Sequence, residues 1–358
     1  MAFEVYIVDN APMTDVDDLE LVALRFMEDI GYLMKHYDPK TPADSVKKSV
    51  PYKLFLDCLL CHQDKDWRIE ELSIKLKTSV PTIYRHLAKL QALGLLDEDD
   101  AEGGKVFHIK HYSFPLAWKL TEANVEAALA RYRAIIEYIQ SNIKRTDKAE
   151  GGPLSAAPKN FALRVKSSRI KVQGDMDDFL PQFLLDLDYL ADQGPGEEDP
   201  HNSVAYRMFR ECFLDRPDRF WDVDELRTKL DTTRPTIYRH LNRLEAMGLM
   251  ERKQVGDTIP PKRAHRLRYG SLSRAWSFVE EYAKVAMQGY RLTVDHLDAL
   301  VHRDRAERNR EKKPDEGNPI EEGPAAIAAT EEEAEMEDEA PLAKKVSPKM
   351  KSKKGRKS

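Results

Sequence analysis

Several absences narrow the possibilities at once. Only 3 of the 358 residues are cysteine, Cys58, Cys61 and Cys212. An odd number cannot close a disulfide framework, and so few thiols suit a reducing compartment. No uncharged apolar run exceeds a few residues, and the opening MAFEVYIVDN lacks a basic lead and an apolar signal core. Neither a membrane span nor secretion is expected, which leaves the cytoplasm. The chain has no glycine-rich phosphate loop, no nucleophile elbow and no pair of carboxylates set apart from ordinary surface charge. An enzyme is therefore not expected, nor is a cofactor. From residue 312 onward there is no aromatic residue.

What is present is charge and length. The 57 Lys and Arg face 62 Asp and Glu, for a net charge of -5, which argues against non-specific nucleic-acid binding by the whole surface but hides local asymmetry. A chain of 358 residues is enough for two ordinary domains.

Self-similarity is strong. PTIYRHL occurs at residues 81–87 and again at 235–241, an offset of 154 that also pairs Tyr52 with Tyr206, Phe55 with Phe209, Cys58 with Cys212 and Trp67 with Trp221. About half of the positions between 50 and 96 are identical to their counterparts, which points to an internal duplication. Farther on the offset becomes 158, pairing Trp118 with Trp276 and Tyr132-Arg133 with Tyr290-Arg291. Upstream, Val16-Asp17-Asp18-Leu19 resembles Met176-Asp177-Asp178-Phe179, each after a strand-like segment at 5–8 or 161–165.

Within one repeat, Tyr52, Phe55, Leu56 and Leu59 have helical spacing, and Ile69, Leu72 and Leu76 mark a second helix. Thr78 and Ser79 are N-cap residues ahead of Pro81, so a third helix begins there, with Ile83, Leu87 and Leu90 inward. Gly94 stops it, and a hairpin then turns at Gly103-Gly104. A long amphipathic helix follows, at 117–143 in one copy and from 272 to about 310 in the other.

This order is that of the winged helix-turn-helix, and TSVPTIYRHLAKLQALGLL closely resembles the recognition-helix segment of bacterial and archaeal repressors of the ArsR and MarR type. The resemblance spans about 60 residues per copy. It implies a mainly α fold with small β-wings, built from two winged helix-turn-helix domains each followed by a long helix. The expected layout is an N-terminal strand and helix (1–48), winged domain 1 with its helix (49–147), a Gly, Pro and Ala-rich linker (148–159), a second strand and helix (160–202), winged domain 2 with its helix (203–311) and an acidic-then-basic tail (312–358) expected to be disordered. In such repressors the terminal helix forms the dimer interface, which implies here a monomer with an intramolecular pseudo-dimer.

With Ile83 inward, Thr82, Arg85, Ala88 and Lys89 lie on the opposite face; their counterparts are Thr236, Arg239, Asn242 and Arg243. Arg can read guanine, Asn adenine, and Thr or Lys can hold phosphate, so these residues are candidates for contact with double-stranded DNA. Copy two is the better candidate. It adds Arg234 at the helix start and a wing with Arg252, Lys253, Lys262, Arg263, Arg266 and Arg268. Between residues 204 and 270 there are 15 Lys and Arg against 10 Asp and Glu, whereas 50–112 has 9 against 10 and its wing opens with Asp97-Glu98-Asp99-Asp100 and Glu102. Phosphates would be repelled there. Tyr84 and Tyr238 fit a phosphate contact or a packing role equally.

His86 and His240 read as half-buried structural histidines. Cys58, Cys61 and His62 spell a haem-attachment pattern, but on a predicted amphipathic helix Cys58 is read as a core residue; no metal site is expected, a zinc set with His108 and His111 included. The leading expectation is a DNA-binding, nucleoid-associated regulator with no membrane partner. The rival, favoured by net acidity and the acidic first wing, is a protein-interaction scaffold resembling kleisin-binding or polymerase-associated tandem winged-helix factors.

Overall fold

In the computed structural model, residues 3–33, 43–143, 158, 160–190, 199–255 and 262–311 are described. The linker expected at 148–159 and the tail at 312–358 fall almost wholly outside them. The first half runs β1 (Glu4–Val8), α1 (Leu19–Asp29), α2 (Ala43–Lys47), α3 (Val50–Lys53), β2 (Trp67–Arg68), α4 (Ile69–Leu76), α5 (Val80–Ala92), β3 (Leu96–Ala101), β4 (Gly104–Ile109) and α6 (Phe114–Asn142). The second runs β5 (Ala162–Lys166), α7 (Met176–Asp186), α8 (Val204–Arg207), β6 (Trp221–Asp222), α9 (Val223–Leu230), α10 (Arg234–Ala246), β7 (Met250–Val255), β8 (Lys262–Leu267) and α11 (Leu272–Glu311). The protein is thus mainly helical with small antiparallel sheets, and apart from α2 the two halves carry the same elements in the same order.

Local chemistry accounts for the shared boundaries. Pro81 and Pro235 sit in the first turns of α5 and α10, where a missing N–H costs nothing, and Gly94 and Gly248 end these helices at φ of 82° and 80°, a region that a side chain would strain. The hairpin of β3 and β4 pairs Leu96 with Ile109 through Ala101 with Gly104, and Trp67 adds a third strand against Phe107. That two-residue strand is too short to leave an alternation in the sequence. The second half repeats the sheet in the order β6-β8-β7.

Two expectations are corrected. The helical spacing of Tyr52, Phe55, Leu56 and Leu59 resolves into α3 followed by a π-helical segment, Leu54–Leu59, and the second half does the same at Met208–Leu214. Five of the six residues Leu54–Leu59 are buried, more than one face of an α-helix can hold. Upstream, the offset of 160 is wrong by three. Asp18 caps α1 by accepting from Leu21 N–H, and Asp175 caps α7 by accepting from Asp177 N–H, so Asp18 corresponds to Asp175. Tyr32 and Tyr189 then correspond, and each meets the histidine of the helix below it edge-on, His86 at 6.2 Å and His240 at 5.8 Å.

The halves are interlocked. β1 pairs antiparallel with β5, Tyr6 opposite Arg164 at the centre. α6 packs along α11, and each long helix grips the strand of the other half. The Tyr290 hydroxyl accepts from Val8 N–H at 3.0 Å, and the Tyr132 hydroxyl accepts from Lys166 N–H at 3.2 Å. Two reciprocal ion pairs cross the seam, Arg133 Nε donating to Glu280 at 2.8 Å and Arg291 Nε to Glu122 at 3.0 Å. Trp118 lies 5.8 Å from Tyr290, and Trp276 lies 5.6 Å from Tyr132. These contacts make residues 1–312 one compact unit, in which 1–48 and 160–202 meet through their strands. No helix among the described residues is long and apolar enough to cross a membrane.

Candidate nucleic-acid interface

The helix α10 owes its position to Ile237, Leu241 and Leu244, which are buried and leave the opposite side to solvent. On that side Arg239 and Asn242 are exposed, and among the described residues neither makes a hydrogen bond or ion pair. Tyr238 is 46% exposed beside them. Thr236, half-buried, shares a hydrogen bond of 2.9 Å with the Thr233 hydroxyl, which orders the start of the helix. Arg234 is exposed but engaged: its Nη2 lies 2.6 Å from Asp224 Oδ1, and this hydrogen bond holds the Asp224 carboxyl below its ordinary range. Lys262 approaches the same carboxylate at 3.9 Å. Arg263, on β8, is exposed with no hydrogen bond or ion pair among the described residues.

Three arginines drawn into the candidate face sit elsewhere. Arg268 is only 2% exposed; its guanidinium donates to the carbonyls of Gly248 at 2.8 Å and Met250 at 3.2 Å and lies 4.0 Å from the Phe278 ring centroid. It is a core cross-brace, placed inward because the strand ends there and turns into α11. Arg243 is half-buried and donates to the Tyr189 carbonyl at 3.2 Å, so it ties α10 to the turn that follows α7. Arg266 is half-buried, paired with Glu251 at 2.6 Å across the hairpin, and rests over Phe220. Arg252 pairs with Glu245 at 3.4 Å, and Lys253 lies 4.0 Å from the Phe220 centroid.

The first half presents the same geometry with different chemistry. Arg85 and Lys89 are exposed on α5 without hydrogen bonds or ion pairs among the described residues, and Thr82 bonds the Ser79 hydroxyl at 2.9 Å. Where the second half has Thr228 and Arg234, the first has Ile74 and Val80, 79% and 37% exposed. Its wing is acidic. Glu98 is spanned by Lys105, Asp97 is met by Lys110 at 3.3 Å, and Asp99, Asp100 and Glu102 are exposed. Tyr84 lies edge-on to Phe107 at 6.1 Å while staying 43% exposed, so it serves packing and still faces water.

Sequence reading missed Arg227, exposed on α9 next to Thr228. The signal was available in the comparison of halves, since Ser73 stands at the matching position. His86 and His240 are 8% and 5% exposed, buried more completely than the half-buried placement expected of them. Burial first, and then the Arg85 and Lys89 cations, push the His86 imidazole down to about 4. Burial pushes all three thiols up, each to about 11, which makes them poor nucleophiles at neutral pH. Among the described residues no three His, Cys, Asp or Glu side chains gather as a metal set.

Comparison with protein-family models, curated proteins and solved structures finds no match to this chain.

Proposed function

We propose that the protein is a DNA-binding transcription regulator or chromatin-associated protein, built by internal duplication of a winged helix-turn-helix unit, whose second half makes the principal contact with double-stranded DNA. The observation that carries this reading is the outer face of α10. Arg239 and Asn242 stand exposed and uncommitted, the two side-chain types that read guanine and adenine edges, and Arg263 on the adjoining strand supplies a cation for the phosphates. The seam between α6 and α11 supports one chain acting as its own pseudo-dimer, since it already buries the surface through which separate subunits would pair.

A second reading, that of a protein-interaction scaffold of the kleisin-binding or polymerase-associated kind, is favoured by the exposed aliphatic side chains Ile74 and Val80 together with the acidic hairpin of the first half. A gel shift with random and genomic duplexes across a salt series separates the two. DNA binding that weakens steeply with salt supports the first, because each phosphate contact releases counterions. No shift at low salt abandons it for the scaffold.

A further inference from the structure

Each half ends its small sheet in an open strand. The orders β2-β4-β3 and β6-β8-β7 leave β3 and β7 on the outside. Among the described residues, the main chain of 97–101 bonds only to the backbone of β4, and that of 251–255 only to the backbone of β8. An unpaired edge is a template for another strand, and the side chains along it decide which strand can approach.

The two edges have opposite charge. β3 reads LDEDDA and β7 reads MERKQV, and the last four residues of each strand are exposed. Glu98 and Asp99 stand where β7 has Arg252 and Lys253, a reversal of sign at two successive positions. Each sign is supported by its own helix. Gln91 of α5 donates to Glu98 at 3.2 Å, and Glu245, at the matching position of α10, pairs with Arg252 at 3.4 Å. Lys105 also bonds Glu98, but Asp100 makes no hydrogen bond or ion pair among the described residues. Charge of one sign on both edges would keep every copy apart. Opposite charge forbids β3 against β3 and β7 against β7, where like charges would face each other, and leaves β3 against β7 as the attractive pairing. Within one chain the two strands belong to separate sheets, so the complementary strand must come from a second copy.

We propose that β3 of one molecule adds to β7 of another, joining two three-stranded sheets edge to edge and linking copies head to tail. The contact uses different surfaces on the two molecules, so it does not close into a symmetric pair, and each added copy presents a fresh edge. One strand of six residues per copy buries well under the roughly 1,200 Å² of a stable interface. Association therefore belongs to concentrations of about 0.1–1 mM and leaves a monomer at micromolar concentration. It needs no DNA, and its failure would leave the DNA-binding reading untouched.

Light scattering of the full chain without DNA tests this. At about 10 mM salt, where the screening length is about 30 Å, the weight-average mass should stay near 41.2 kDa at about 10 μM protein and at least double at about 1 mM. At about 1 M salt, where the screening length falls to about 3 Å, the rise should vanish. Lys253→Glu, which gives β7 the sign of β3 at an exposed position, should abolish the rise at low salt. In an equal mixture of heavy-isotope-labelled and unlabelled chains, zero-length carbodiimide should join Lys253 to Glu98, Asp99 or Asp100 in isotope-mixed pairs. A mass unchanged up to about 1 mM, a rise that persists at about 1 M salt or survives Lys253→Glu, or isotope-mixed links joining β3 only to lysines outside β7 would each overturn the proposal. Where Lys253→Glu disturbs the fold, the cross-links of the unaltered chain decide.

Discussion

Arg239 and Arg268 are both arginines of the second half that sequence alone places near DNA, and they do opposite things. Arg239 sits free on the outer face of α10, so Arg239→Ala should weaken DNA binding by about 1–3 kcal/mol if it reads a base edge, while Arg85→Ala, beside an acidic wing, should cost less. Equal losses in a fluorescence-anisotropy titration would show that the charge difference between halves does not govern binding. Arg268 is held by two backbone carbonyls inside the core. Its replacement by Ala should leave those acceptors unpaired and lower unfolding free energy by about 2–4 kcal/mol in a urea titration. The lowered His86 imidazole adds a pH dependence. Between about pH 6.5 and 4 the unfolded chain binds a proton that the folded one refuses, so this contribution is full above pH 6.5 and is lost as pH falls toward 4. His86→Gln should flatten the stability profile over that window, and an unaltered slope would assign the loss to other groups.

At the scale of elements, matched helices differ in how their ends are satisfied. α9 begins with a capping box in which the Asp222 carboxylate accepts from Glu225 N–H at 2.8 Å and the Glu225 carboxylate accepts from Asp222 N–H at 3.2 Å. α4 has Arg68 at the corresponding position and no side-chain cap. Asp222→Ala should cost about 1 kcal/mol of stability, whereas Arg68→Ala should cost almost nothing through capping; thermal unfolding of the two variants makes the comparison. Legibility at this scale followed periodicity. The helices α5 and α10 and the hairpin were readable from N-caps, prolines, glycines and a sustained apolar stripe. β2 and β6, with two residues each, were not, and neither was the π-helical winding, because its residues satisfy an α-helical spacing equally well. The upstream repeat was misaligned because Asp17 and Asp18 resemble Asp177 and Asp178 as letters, while only Asp18 and Asp175 cap a helix.

At the scale of the whole molecule, residues 1–312 form one compact unit because the strongest apolar surfaces of each half face the other half. Tyr132, Ile135, Ile136 and Ile139 are fully covered, and the reciprocal pairs Arg133–Glu280 and Arg291–Glu122 close the seam on both sides. With that surface occupied, light scattering at micromolar concentration should return a mass near 41.2 kDa, and a stable species of twice that mass would show that another face drives association. The amino-acid order was sufficient for the repetition, the helix starts and stops, the inward stripe of each helix and the difference in charge between halves, since all of these depend on residues close together along the chain. It could not show that β1 meets β5 or that Tyr290 reaches Val8 across 282 positions. Nor could it show that Arg268 turns inward while Arg239 turns outward. Those outcomes depend on which surfaces come together once the helices exist, and equal residue types carry no mark of whether a carbonyl or water will be waiting for them.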